Sequence, residues 1–109
     1  MDKSIKKIIK NYGLNTEERF VVYQLIRYID DGKHEKIKKN ITDGDSCVNC
    51  LHEALRGRID YLEHRNTSTK EDRYINREYI RILRLYADEK TDRLDLIYRC
   101  IKECYNNLD

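Results

Sequence analysis

Residues 69–108, TKEDRYINREYIRILRLYADEKTDRLDLIYRCIKECYNNL, carry the pattern that decides the fold class. Apolar side chains return in this stretch at alternating intervals of three and four residues, which places them on one face of an α-helix. One position of the seven-residue repeat holds Ile80, Ala87, Leu94, Ile101 and Leu108, and the other holds Leu83, Lys90, Ile97 and Cys104. The stretch is therefore predicted to be helical.

Lys90 is the one polar residue in this repeat, and it leaves two interpretations open. The stretch can form one helix of almost forty residues, or two helices with a hinge at Asp88–Asp92. In the second case Thr91 or Asp92 would cap the second helix. We expect a continuous or merely bent helix, because the repeat keeps its phase across Lys90.

The composition favours helices along the whole chain. Charged residues make up 39% of the 109 residues, against about 25% in a typical domain, and the chain contains four glycines and no proline. The turns of a β-sheet draw heavily on glycine and proline, which are scarce here. We predict a single all-α domain over residues 1–109, a small four- to five-helix bundle with the long C-terminal helix as its spine.

The sequence marks the ends of the remaining helices less clearly. Asn15 and Glu18 have the spacing of a capping box, so a second helix is predicted to begin there, after a short amphipathic one. Residues 33–44 are the least regular part of the chain. A further helix is expected to run to about residue 66, and Ser68 with Glu71 forms a second capping box ahead of the heptad stretch.

The sequence carries no signal for export or membrane insertion. The longest apolar run, Phe20–Tyr23, is far shorter than the roughly 18 residues of a membrane-spanning helix. The basic N-terminal residues are not followed by the apolar region of a secretory signal. We therefore expect a cytoplasmic protein without membrane contact. The abundance of Ile, Lys, Asn and Tyr would also suit an A·T-rich genome, such as that of many viruses and phages.

Four cysteines form a candidate metal site: Cys47, Cys50, Cys100 and Cys104. Four thiolates could bind one zinc ion tetrahedrally. If the helices before and after residue 67 form a hairpin, however, Cys47 lies opposite residue 88, and Cys100 is about 18 Å farther along. We therefore expect ordinary half-buried thiols, with no metal and no cofactor.

A row of four arginines forms a candidate nucleic-acid site: Arg73, Arg77, Arg81 and Arg84. At 100° per residue they lie within about 80° of one another on the helix. Tyr74 and Tyr79 flank the row and could stack on exposed bases while the arginines bind phosphates. Glu78 and Asp88 favour the alternative, which is a solvated face of mixed charge.

The C-terminal apolar stripe is a candidate interface for self-association. It consists of Leu94, Ile97, Tyr98, Ile101, Tyr105 and Leu108. If the C-terminal helix is continuous, a hairpin partner covers it only to about residue 89, so part of the stripe is expected to stay exposed. A symmetric dimer is the commonest way to bury such a patch. We predict a homodimer with Ile97 and Ile101 at its centre.

Catalytic motifs are absent, since the chain has no phosphate-binding glycine loop, no H-E-x-x-H and no G-x-S-x-G. The interval from Arg58 to His64 resembles the Arg–His pair of HEPN-type ribonucleases, a resemblance that implies RNA cleavage by a small helical domain. Our preferred hypothesis is a non-catalytic protein-protein interaction or regulatory protein, an adaptor or inhibitor, that self-associates. A nucleic-acid-binding regulator is the alternative, and a small helical nuclease is third.

Overall fold

The computed structural model describes residues 3–43 and 48–107, and every regular element in these ranges is helical. The helices are α1 (Lys3–Asn11), α2 (Thr16–Ile29), α3 (Glu35–Asp43), α4 (Val48–His64), α5 (Lys70–Asp88) and α6 (Leu94–Asn106), with a 3-10 turn (Thr91–Arg93) before α6. The all-α prediction is confirmed. The described residues form six α-helices, whereas four to five were expected. None of these helices is long and apolar enough to cross a membrane.

The prediction of a continuous helix over residues 69–108 is wrong, because the chain turns between α5 and α6. The N–H groups of Glu89 and Lys90 both donate to the carbonyl oxygen of Leu85, at 2.9 and 2.8 Å, which ends α5. A straight helix would aim Lys90 into the apolar face. The turn instead places its Nζ 3.9 Å from Glu17 Oε1 and 5.6 Å from the ring centre of Tyr86. Keeping one ammonium out of the core thus explains the break.

The observed cap of α2 is the predicted one, whereas the observed caps of α5 and α6 differ from those predicted. The backbone N–H of Glu18 donates to Asn15 Oδ1 at 2.8 Å, and that of Asn15 donates to Glu18 Oε1 at 3.0 Å, so the predicted capping box is present. At α5 the cap is Thr69 rather than Ser68, since Thr69 Oγ1 accepts from the N–H of Asp72. Neither Thr91 nor Asp92 caps the helix after the break.

Helix α6 lies at the centre of the bundle, in contact with α1, α2, α3 and α4. Seven of its thirteen residues are buried: Leu94, Ile97, Tyr98, Cys100, Ile101, Cys104 and Tyr105. The prediction that the C-terminal stripe stays exposed is therefore wrong for every described member of it, and Leu108 lies outside the described residues. The turn after α5 returns α6 to the other helices, which cover the stripe within one chain.

The two α6 tyrosines expected at an interface point inward instead. The Tyr98 hydroxyl donates to the carbonyl oxygen of Ile41 at 3.2 Å, and the Tyr105 hydroxyl donates to Asp30 Oδ1 at 3.0 Å. Burial raises the pKa of Tyr105, as does the negative charge of Asp30. Each ring thus joins the apolar core while its hydroxyl finds a partner at the end of a neighbouring helix.

An ion pair between Glu18 and Arg93 joins the start of α2 to the turn before α6. The Glu18 side chain is only 2% exposed, and its two oxygens accept from Nε and Nη2 of Arg93 at 2.5 and 3.1 Å. The Arg93 hydrogen bonds lower the pKa of Glu18 against the opposing effect of burial, and the N–H of Asn15 lowers it further. The carboxylate is therefore held in its charged form inside the fold.

Replacing Arg93 by Gln should destabilise the fold at neutral pH by more than the loss of an exposed ion pair does, because the Glu18 carboxylate stays buried without its cation. The native Glu18 pKa is depressed, so the pair stabilises the fold above the ordinary Glu pKa, and this contribution is lost as the pH falls through the depressed value. The difference in the free energy of unfolding between wild type and variant should therefore become smaller at acidic pH. Urea unfolding curves near neutral pH and at about pH 3 measure both effects.

Arg99→Gln provides the control, since Arg99 forms an exposed pair with Asp95 at 2.7 Å on the same helix. Its removal should cost less than about 1 kcal/mol. Equal losses from Arg93→Gln and Arg99→Gln would contradict the central role assigned to the buried pair.

Candidate functional site

The arginine row predicted on α5 is exposed, but only half of it is free of intramolecular pairing. Arg81 Nη2 lies 3.0 Å from Glu78 Oε2, and Arg84 Nη2 lies 2.6 Å from Glu63 Oε1 on α4. Arg73 and Arg77 form no ion pair with any carboxylate of the described residues. The free positive charge is therefore concentrated at the N-terminal half of α5.

Exposed apolar surface lies at the same end of the helix. Tyr74 is 65% exposed and Ile75 is 45% exposed, and with Lys70 and Glu71 they line a shallow hollow of about 400 Å³. Tyr79, the second tyrosine expected to flank the arginines, instead packs on Phe20 with ring centres 4.7 Å apart. The tyrosine available beside the arginines is therefore Tyr74.

The described cysteines are of two kinds, and Cys100 and Cys104 are the two free thiols among them. Cys100 and Cys104 are both fully buried, and the hydrogen bond between them and the burial raise the pKa of Cys100. Cys50 is also buried, but it is disulfide-bonded, so the expectation of an ordinary thiol is wrong at this position. Cys47 lies outside the described residues. Over residues 3–43 and 48–107, no three His, Cys, Asp or Glu side chains are grouped so as to hold a metal ion.

Arg58 and His64 are held by different partners. Arg58 Nε donates to Gln24 Oε1 on α2 at 2.9 Å. The exposed His64 ring lies 2.9 Å from the Asp60 carbonyl oxygen and 3.3 Å from Asp60 Oδ1, and the hydrogen bond to that carbonyl raises the pKa of His64. The two side chains thus have separate partners, one on another helix and one on the same helix.

A cleft of about 520 Å³ opens between α2 and α4, and sequence analysis missed it. The residues that matter most to its shape and charge are Arg27, Tyr28, Lys33, Gly57, Arg58 and Tyr61. Glycine inside a helix often marks a close approach of another group, and Gly57 was the one signal of the cleft in the sequence.

Gly57 makes room for the ring of Tyr28. A Cβ at position 57 would lie 2.0 Å from the Tyr28 hydroxyl oxygen and 2.5 Å from Cζ, so the Tyr28 ring would have to move to accommodate it. The Tyr28 ring is stacked on the His34 imidazole, with ring centres 4.0 Å apart and planes 20° apart. Burial raises the pKa of Tyr28. The cleft therefore has an aromatic wall whose position depends on glycine, without a side chain, at position 57.

Comparison of the chain with protein-family models, with curated proteins and with solved structures gave no match.

The fit of Tyr28 against Gly57 predicts a context-dependent effect of Gly57→Ala. Glycine in a helix interior costs about 1 kcal/mol relative to alanine, so in a Tyr28→Ala background the substitution should stabilise the fold by about that amount. In the wild-type background the new methyl group must displace the Tyr28 ring, so this gain should vanish or reverse. Denaturant unfolding of the four chains in this cycle measures the difference. Equal stabilisation in both backgrounds would show that Tyr28 does not occupy the space beside Gly57.

Proposed function

We propose that the protein is a non-catalytic interaction protein, of the adaptor, inhibitor or regulatory-subunit kind, that binds an acidic partner protein through the first half of α5. The observation that carries this proposal is the exposed Arg73 and Arg77 pair beside Tyr74 and Ile75. The two guanidinium groups have no carboxylate partner among the described residues, so a partner can supply one.

The residue types at this surface support a protein partner. Tyrosine and arginine are enriched among the side chains that dominate binding energy at protein interfaces. Three large hydrophobic residues of the described ranges are exposed, and two of them, Tyr74 and Ile75, are adjacent here. A different protein is favoured over a second copy of the chain, because the α6 stripe that suggested a homodimer is buried.

The placement of the reactive side chains supports a non-catalytic role. The Cys100 and Cys104 thiols are both fully buried, whereas a nucleophilic cysteine needs access to substrate. The His34 and His64 rings each lie 3.3 Å from a carboxylate oxygen of a surface aspartate, Asp31 and Asp60 respectively. These contacts are ordinary surface pairs between a histidine and an aspartate three or four residues away.

A nucleic-acid partner is the second candidate, because Arg73, Arg77 and Tyr74 could also bind phosphates and a base. Glu63 and Glu78 weaken it. They pair with Arg84 and Arg81 respectively, and so they reduce the positive charge available to phosphates on the second half of α5. Two free arginines predict a shallow dependence of affinity on salt, with a slope no steeper than roughly −2 in a plot of log affinity against log salt.

Two matched double variants test the α5 surface. Replacing Arg73 and Arg77 by Ala should abolish capture of the partner from a nuclease-treated lysate of the source cells. Replacing Arg81 and Arg84 by Ala should leave it, because those two side chains are already paired within the chain. Tyr74→Ala should weaken the purified complex by roughly ten- to a hundredfold, as expected for a central aromatic contact. Calorimetry of the reconstituted complex measures these affinities.

Equal effects of the two double variants would contradict the assignment of binding to the first half of α5. Binding that disappears on nuclease treatment, together with retention of a single-stranded oligonucleotide at low salt that only the Arg73/Arg77 variant loses, would favour the nucleic-acid candidate instead.

A further inference from the structure

The cleft between α2 and α4 has a surplus of unpaired positive charge. Two carboxylates also line it: Asp31 Oδ2 lies 3.3 Å from His34 Nε2, and Asp60 Oδ1 lies 3.3 Å from His64 Nδ1. Three cations face the same space: Arg27, Lys33 and Arg58. None of the three forms an ion pair with a carboxylate of the described residues. The three cations outnumber the two carboxylates of the lining, so the cleft carries a net positive charge.

Arg58 is the best placed of these cations. It is half-buried, and its Nε donates at 2.9 Å to Oε1 of Gln24, a side chain on a residue only 4% exposed. The Tyr61 ring centre lies 5.0 Å from the Arg58 Cζ. These contacts fix the guanidinium while its two Nη nitrogens make no hydrogen bond to a described residue. The free edge of a fixed guanidinium matches the two oxygens of a phosphoryl group.

Desolvation makes an anion at this position more favourable. Burial lowers the pKa of Arg58, and the nearby positive charge of Arg27 lowers it further. The negative charge of Asp31 opposes this lowering without forming an ion pair with Arg58. A partly desolvated cation that forms no ion pair gains more from an incoming anion than a fully hydrated one does. Gln24 is neutral, so it orients Arg58 without neutralising its charge.

We propose that the α2–α4 cleft binds a small phosphate ester of about mononucleotide size, with its phosphoryl group on the Nη edge of Arg58 and flanked by Arg27 and Lys33. The volume of about 520 Å³ exceeds the space that a bare phosphate needs and lies within the usual range of small-molecule sites. Tyr28 and Tyr61 provide aromatic surface for the organic part of the ligand. This site is separate from the α5 surface, so either proposal can fail while the other stands.

Calorimetric titration with adenosine monophosphate, adenosine and inorganic phosphate, in a buffer free of phosphate and at low salt, tests the proposal. The monophosphate should bind at least about tenfold more tightly than adenosine, because charge-assisted hydrogen bonds to Arg58 are lost without the phosphoryl group. It should also bind more tightly than inorganic phosphate, which makes no use of the aromatic surface. In NMR spectra the Nε–Hε signal of Arg58 should shift on titration.

Two variants with the same loss of charge on one helix separate a specific site from general attraction. Arg58→Gln should weaken binding of the monophosphate by about tenfold or more. Arg56→Gln should change it less than about twofold, because Arg56 is exposed and does not line the cleft. If Arg58→Gln does not fold, the combined replacement of the exposed Arg27 and Lys33 by Gln should still reduce affinity by at least about threefold.

Three results would overturn the proposal. The first is equal weakening by Arg58→Gln and Arg56→Gln, and the second is equal affinity for adenosine and its monophosphate. The third is binding of a phosphotyrosine peptide in the cleft while no small phosphate ester binds at millimolar concentration, which would identify a phosphorylated protein as the ligand.

Discussion

The ion pair between Glu18 and Arg93 is the constraint around which the bundle is arranged. It joins the capped start of α2 to the turn from which α6 departs, across 75 positions of the sequence. A buried carboxylate is tolerated there because the guanidinium and the backbone N–H of Asn15 satisfy its oxygens. By fixing the turn, this pair directs α6 back among α1 to α4, and that return closes the apolar core.

The path of α6 determines which surfaces remain available for binding. Had the helix continued straight, its apolar stripe would have projected beyond α4 and an interface there would have been reasonable. Because it folds back, the exposed features of the described residues lie on α5 and between α2 and α4. The first surface is open and shallow, with free arginines beside a tyrosine. The second is concave, with cations over aromatic rings. These two shapes suit a large partner and a small ligand respectively.

The sequence was sufficient for the properties that depend on neighbours along the chain. Helical periodicity, the Asn15–Glu18 capping box and the exposure of the α5 arginines all follow from spacings of three or four residues. The only sign of the break after α5 in the apolar repeat was Lys90. The prediction of a continuous helix gave more weight to the preserved phase of the repeat than to this residue, and it was wrong. The cost of burying one ammonium exceeded the benefit of a continuous helix. Contacts between distant residues, such as Arg84 with Glu63 or Arg58 with Gln24, had no local signature.

The contact between Tyr28 and Gly57 has a consequence for how this fold can vary during evolution. Two positions 29 residues apart must change in concert, since any side chain at 57 competes with a ring at 28 for the same space. In a related bundle, glycine at this point of α4 would diagnose an open cleft, and alanine would diagnose a filled or rearranged one. Residue 57 is thus a marker by which descendants of this chain could be sorted into those that keep the cavity and those that have lost it.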